Sequence, residues 1–257
     1  MNPFAILGRI VLDFLAEAGR IALFAKDGLV QGLTPRYYVS QFLLQFWRIG
    51  YTSLPVVALT SFFTGGALAL QIYQGSSAIT ASTLVPNIVV LGICRELGPV
   101  LAGLMVSGRV GAAVAAELGT MRVTEQIDAL VTLSTNPFKY LVGPRILASI
   151  VSLPLLVAIG DTIGVFGGYV VGTRSLNLNA FAYIKNTVDF LHTSDVVSGL
   201  IKAAVFGFII ALMGCYHGFH SKGGAQGVGR ATTNAVVSSA ILILAANFLL
   251  TTLLFGN

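Results

Sequence analysis

Charge is scarce in this chain: of 257 residues, 10% are Asp, Glu, Lys or Arg, while 55% are hydrophobic. Soluble domains carry roughly 25% charged residues, so a water-soluble enzyme or nucleic-acid binder is excluded and an integral membrane protein is indicated. The formal charge of +5 sits at the ends of apolar runs, as expected of cytoplasmic Lys and Arg flanking membrane spans. Cysteine is nearly absent. Cys94 and Cys215 both lie inside apolar stretches, which argues against a disulfide framework and reads as two packed thiols. Histidine is as rare, and His217 and His220 have no Cys, Asp or Glu to complete a metal site. The glycine-rich stretch 223–229 lacks the Gly-x-x-x-x-Gly-Lys-Ser/Thr order of a phosphate cradle and follows no strand, so it reads as a loop. No Ser/His/Asp constellation stands out, and no removable signal peptide is expected. The chain reads as non-catalytic, so any energy is consumed by a partner.

What the sequence does have is long apolar segments. Five spans are expected, at about 51–73, 83–107, 146–171, 196–216 and 232–255, each long enough at 1.5 Å per residue to cross about 30 Å of hydrocarbon or nearly so. The fold class is therefore all-α integral membrane. Residues 4–25 place Phe4, Leu7, Val11, Phe14, Ala18 and Ile21 at helical spacing, with Arg9, Asp13, Glu17 and Arg20 on another face. That is the pattern of an interfacial amphipathic helix. An uncharged turn is expected at 74–82, a short surface helix at 179–191, and a flexible basic loop at 217–230. Most Lys and Arg lie in the N-terminal region, in 108–145 and in 217–230, which puts the N-terminus in the cytoplasm and the C-terminus outside. Two stripes of small residues recur every four positions: Gly103, Ser107, Gly111, Ala115, Gly119, and Gly160, Gly164, Gly168, Gly172. Close packing within the chain is the preferred reading over a subunit interface.

Arg95 and Glu96 fall near the middle of the second span. An ionised residue there costs about 2.5–3.5 kcal/mol on insertion scales. Neighbours on a helix point about 100° apart, so the two do not simply neutralise each other. Lys202, in the fourth span, is a candidate partner for Glu96. Pro99 is expected to bend the helix and open a cavity beside the pair. The bland reading is a polar network that fixes helix register; the preferred one is a substrate-facing cavity. Further on, Thr124 reads as a cap for a short helix, Glu125-Gln126-Ile127-Asp128-Ala129-Leu130, with Ile127 and Leu130 forming a small apolar edge.

The blocks Arg95–Val106, Gly108–Ala113, Ala116–Met121 and Glu125–Leu130, with Gly227–Thr233 and the terminal Phe255-Gly256-Asn257, strongly resemble the MlaE/YrbE permease family. Asn234 stands where a basic residue is expected. The resemblance implies a permease subunit of an ABC transporter that moves phospholipid between the inner and outer membranes of a Gram-negative cell. It implies a homodimer of five-span chains in the inner membrane, a cytoplasmic ATPase that holds the ATP and Mg, a small STAS-domain protein and a periplasmic MCE-domain ring. By the same resemblance, Arg95, Glu96 and Leu97 would face a central lipid cavity with Lys202 nearby, and Glu125 to Leu130 would be the coupling helix that docks on the ATPase. Two other readings stand beside this one: an ion-coupled secondary transporter using Glu96, and a membrane scaffold for a periplasmic ring protein.

Overall fold

The computed structural model describes residues 3–34, 38–76 and 80–256, with backbone alone for residues 3–8, 10 and 14. Among the described residues there are eight helices and no strand: α1 (Pro3–Leu33), α2 (Val39–Gly75), α3 (Ala81–Val123), α4 (Gln126–Thr132), α5 (Phe138–Arg174), α6 (Ala180–Phe190), α7 (Thr193–Phe219) and α8 (Gly224–Phe255). The five expected spans correspond to α2, α3, α5, α7 and α8, each long and apolar enough to cross a membrane. All five exceed their expected limits, α3 reaching 43 residues. Hydropathy marks the hydrocarbon-buried part of a helix, whereas its backbone hydrogen bonds continue into the headgroup layer. The surface helix expected at 179–191 is α6.

Two boundaries need correction. The glycine-rich stretch 223–229 is not a loop. Gly223 and Gly224 take left-handed φ values of 87° and 66° and turn the chain, and helix α8 begins at Gly224. Glycine adopts that conformation without steric penalty, and Val228 then packs on Gly119 of α3. The N-terminal helix runs on from 25 to Leu33. Its second half docks on the bundle, where Phe24 is buried against Phe138, Tyr216 and Phe219. The Tyr216 hydroxyl donates to Glu17 at 2.6 Å and holds that carboxyl below its ordinary range. The side chains of Phe4, Leu7 and Phe14, half of the expected apolar face, lie outside the described residues, as do 77–79 of the expected turn.

Both small-residue stripes pack within the chain. Gly103 and Gly111 meet Phe206 and Ile210 of α7, and Ser107 pairs with Ser239 of α8 at 2.6 Å. The most extensive helix pairing is α2 on α5. There, any side chain at Gly65 would run into the Gly164 carbonyl, and one at Gly167 into that of Phe62. In lipid, where burying apolar surface between helices gains little, such backbone approach supplies much of the association. Replacing Gly167 by Val should therefore destabilise the fold by about 1–3 kcal/mol, seen as a fall in the unfolding temperature of the detergent-purified chain. Gly19→Ala, which meets nothing within 4 Å, should leave it unchanged or raise it slightly.

Candidate functional site

Helix α3 widens into π-helix twice, at Ile93–Leu97 and at Ser107–Gly111. The first widening accompanies Pro99, which has no N–H to give to the carbonyl four residues back, that of Arg95. Gly98 N–H donates to the Ile93 carbonyl, five residues back, and Lys202 Nζ of α7 donates to the Arg95 carbonyl at 2.9 Å. Gly199, without a side chain, lets α7 close on the Cys94 carbonyl and the Pro99 ring. The space beside Pro99 is thus filled by α7 rather than opened as a cavity.

Lys202 is fully buried, and its three ammonium protons meet three acceptors: the Arg95 carbonyl, Glu96 Oε1 at 2.6 Å and Thr251 Oγ1 at 2.8 Å. Glu96 Oε1 also accepts from Thr251 at 2.9 Å, and Oε2 from Asn247 Nδ2 at 2.8 Å. Arg95 turns the other way. Its Nε and Nη2 reach Asp195 Oδ1 at 2.7 and 2.6 Å, and its guanidinium lies 4.4 Å above the Phe255 ring. Asp195 Oδ2 accepts the His192 N–H at 3.1 Å, so the same carboxylate caps α7. Arg95 and Glu96 are 33% and 36% exposed, while their partners Asp195 and Lys202 are wholly buried. The network therefore presents one cation and one anion outward and keeps the opposite charges behind them.

Lys202 does partner Glu96, and Arg95 and Glu96 do not pair with each other. The depth is different from the expected one. Asp195 lies in the first turn of α7, and Asn247 and Thr251 in the last turns of α8, so the pair stands in the half of the bundle nearer the α2–α3 turn. Because α3 continues to Val123, residue 95 lies well before its midpoint. Leu97 is half-buried against the cluster that contains Val89, Ile93 and Tyr183.

Sequence reasoning missed Asp195, Asn247, Thr251 and Phe255. Two signals were present: the His192-x-x-Asp195 capping pattern, and an amide and hydroxyl four residues apart in an otherwise apolar span. Asp161 was missed too. It is 7% exposed, its Oδ1 has no hydrogen-bond partner, and it lies against Gly98, where any side chain would strike it.

At the opposite end, Thr124 does not cap α4. Its hydroxyl donates to the Thr120 carbonyl at 2.8 Å and closes α3, while Glu125, with a left-handed φ of 60°, starts the next helix. Ile127 is 1% exposed and anchors α4, and Asp128 pairs with Arg122 at 2.6 Å. Glu125, Gln126, Asp128 and Ala129 are exposed and Leu130 is half-buried. Val131 and Leu133, just past the expected segment, are exposed apolar side chains.

Removing one partner of a buried pair leaves the other charge uncompensated. Lys202→Met should therefore cost about 3 kcal/mol of stability, the low end of the roughly 3–5 kcal/mol lost when a buried pair is broken, because Glu96 keeps a third of its surface. Adding Glu96→Gln should restore a good part of it in a double-mutant cycle read by thermal unfolding.

The sequence matches a known family. The family model described as "Permease MlaE" matches residues 42–253. A "Probable ABC transporter permease protein" of Rickettsia typhi is 53% identical over 99% of this chain and 98% of its own. The "Intermembrane phospholipid transport system permease protein MlaE" of Haemophilus influenzae is 30% identical over 100% of this chain and 98% of its own. The "Protein TRIGALACTOSYLDIACYLGLYCEROL 1, chloroplastic" of Arabidopsis thaliana is 38% identical over 91% of this chain and 67% of its own. With five membrane-length helices and a match over most of its length, the chain belongs to the MlaE permease family and is a membrane-embedded permease of the ABC-transporter kind.

Proposed function

We propose that this permease moves phospholipid between two membranes, working as a homodimer whose facing surfaces enclose the lipid path, with Arg95 and Glu96 as the headgroup-contacting pair. The observation that carries this reading is the outward display of those two side chains, each locked from behind by a wholly buried counter-charge. A phospholipid headgroup needs few polar contacts in an otherwise apolar channel. A zwitterionic headgroup finds both signs here. Leu97 lines the path beside them, and Lys202 acts through Glu96.

Energy enters at the other end. The Lys- and Arg-rich end faces the cytoplasm of a bacterial inner membrane by the positive-inside rule. There α4 offers Glu125, Gln126, Asp128 and Ala129, with exposed Val131 and Leu133, to an ABC ATPase that binds ATP and Mg. A STAS-domain protein on that ATPase and a periplasmic MCE-domain ring complete the assembly; the intermembrane phospholipid transport named for the Haemophilus relative supports the lipid substrate.

In proteoliposomes holding the permease with its ATPase, Glu96→Gln should lower ATP-dependent lipid transfer at least about tenfold, the loss of one charge-assisted contact, with assembly intact. Undiminished transfer by an Arg95→Ala/Glu96→Gln double variant would overturn the site. Charge reversal at Glu125 and Asp128 should abolish co-purification of the ATPase. Transfer that instead follows a proton gradient without an ATPase would establish the ion-coupled reading.

A further inference from the structure

A second set of charges lies near the other end of α3, at its second π turn. Arg145 of α5 is 3% exposed and its Nη2 meets Glu117 Oε2 at 2.9 Å; Arg48 of α2 meets Glu117 Oε1 at 3.4 Å. Arg109, on the π turn, donates from Nη2 to the Arg48 carbonyl at 2.9 Å and to Ser53 Oγ at 2.6 Å. Two guanidiniums thus share the Glu117 carboxylate, and the third, Arg109, has no carboxylate among its hydrogen-bond partners. Arg109 Nε and Arg145 Nε are buried with no hydrogen-bond partner. Arg48, Thr52, Arg109, Ala113 and Glu117 border a cavity of about 180 Å³ between α2 and α3, and Arg48 is 53% exposed beside it.

The surroundings fix what can reach this cavity. Trp47 and Tyr51, one residue before Arg48 and Thr52, are exposed and stacked with ring centroids 4.2 Å apart, the amphipathic ring pair that marks headgroup depth. Along the same helix, Leu43 and Leu44 on one side and Val56 and Leu59 on the other are also exposed and apolar. The opening therefore faces lipid, at the level where phosphates lie. Guanidinium forks match phosphate oxygens, and basic pockets between membrane helices hold lipid headgroups. Both Glu117 oxygens are engaged by arginines, so no free anion awaits an ammonium headgroup.

We infer that the α2–α3 cavity bordered by Arg48 and Arg109 is a second lipid site, separate from Arg95 and Glu96, which binds the phosphate of an anionic phospholipid. This stands independently of the transport direction or of the transported lipid.

Native mass spectrometry of the detergent-purified full chain tests it with phosphatidylglycerol, phosphatidylcholine of the same acyl chains, and inorganic phosphate. Wild type should retain phosphatidylglycerol about tenfold over phosphatidylcholine, which has the same phosphate but adds a trimethylammonium that meets arginines and no free carboxylate. Arg48→Glu should erase that preference, Arg48→Gln should reduce it, and Lys222→Glu, a basic residue elsewhere at this end, should leave it intact. Equal retention of the two lipids, or equal losses from Arg48→Glu and Lys222→Glu, would overturn the site. Displacement of phosphatidylglycerol by millimolar inorganic phosphate would show a soluble-anion site and overturn the lipid assignment.

Discussion

A wholly buried ammonium group governs the arrangement of this bundle. Lys202 has no water to solvate it, so all three of its protons need protein acceptors, and those come from α3 and α8. The acceptors are within reach only because Gly199, one turn away, brings α7 onto the backbone of α3. The Arg95 carbonyl is accessible because Pro99 cannot occupy it. Proline, glycine and lysine thus form one device that ties three helices together at the depth where Arg95 and Glu96 emerge. The charge stabilises the site less than it orders it: a hydrophobic replacement of the whole network could be as stable, but it would not hold a carboxylate facing outward.

Helix α3 links that site to the far end of the molecule. From Glu96 to Val123 is about 40 Å of helical rise, with Arg109 and Glu117 spaced between. On the proposed role of α4, this continuous, packed element is the route by which its displacement would reach Glu96. Arg145 and Glu117 pin the lower part of this rod to α5, and Arg48 and Arg109 pin it to α2. Motion transmitted along α3 must therefore rearrange or carry those contacts.

The spans were legible in the sequence because apolar runs of about twenty residues with at most two charges have few alternatives to a membrane helix. So was the Glu96–Lys202 pair, since few basic side chains occur inside spans. Asp195 was hidden by its position: at a helix start it reads as a solvated cap, and only the bundle shows that the same carboxylate neutralises Arg95. Asn247 and Thr251 carry no charge and vanish in a hydropathy average. The glycines at 224–229 read as a loop because helix propensity penalises them, a penalty overridden where Val228 fits against Gly119. Resemblance to a family added what composition could not, namely a lipid and an ATPase.

The two π turns also constrain how this sequence can change in length. Each holds one residue more than an α-helical turn needs; at the second, deleting one residue would restore ordinary hydrogen bonding at almost no local cost, whereas at the first Pro99 would still have no N–H to give. The same deletion would rotate everything beyond it by about 100°. Loss at the first turn would swing Gly103, Ser107 and Gly111 away from α7 and α8; loss at the second would swing Glu117 away from Arg145. Segments that look expendable by local backbone energetics are thus fixed in length by the helices packed on either side. Insertions and deletions should be far rarer there than in the connections at 175–179 or 133–137, even where side-chain substitution is free.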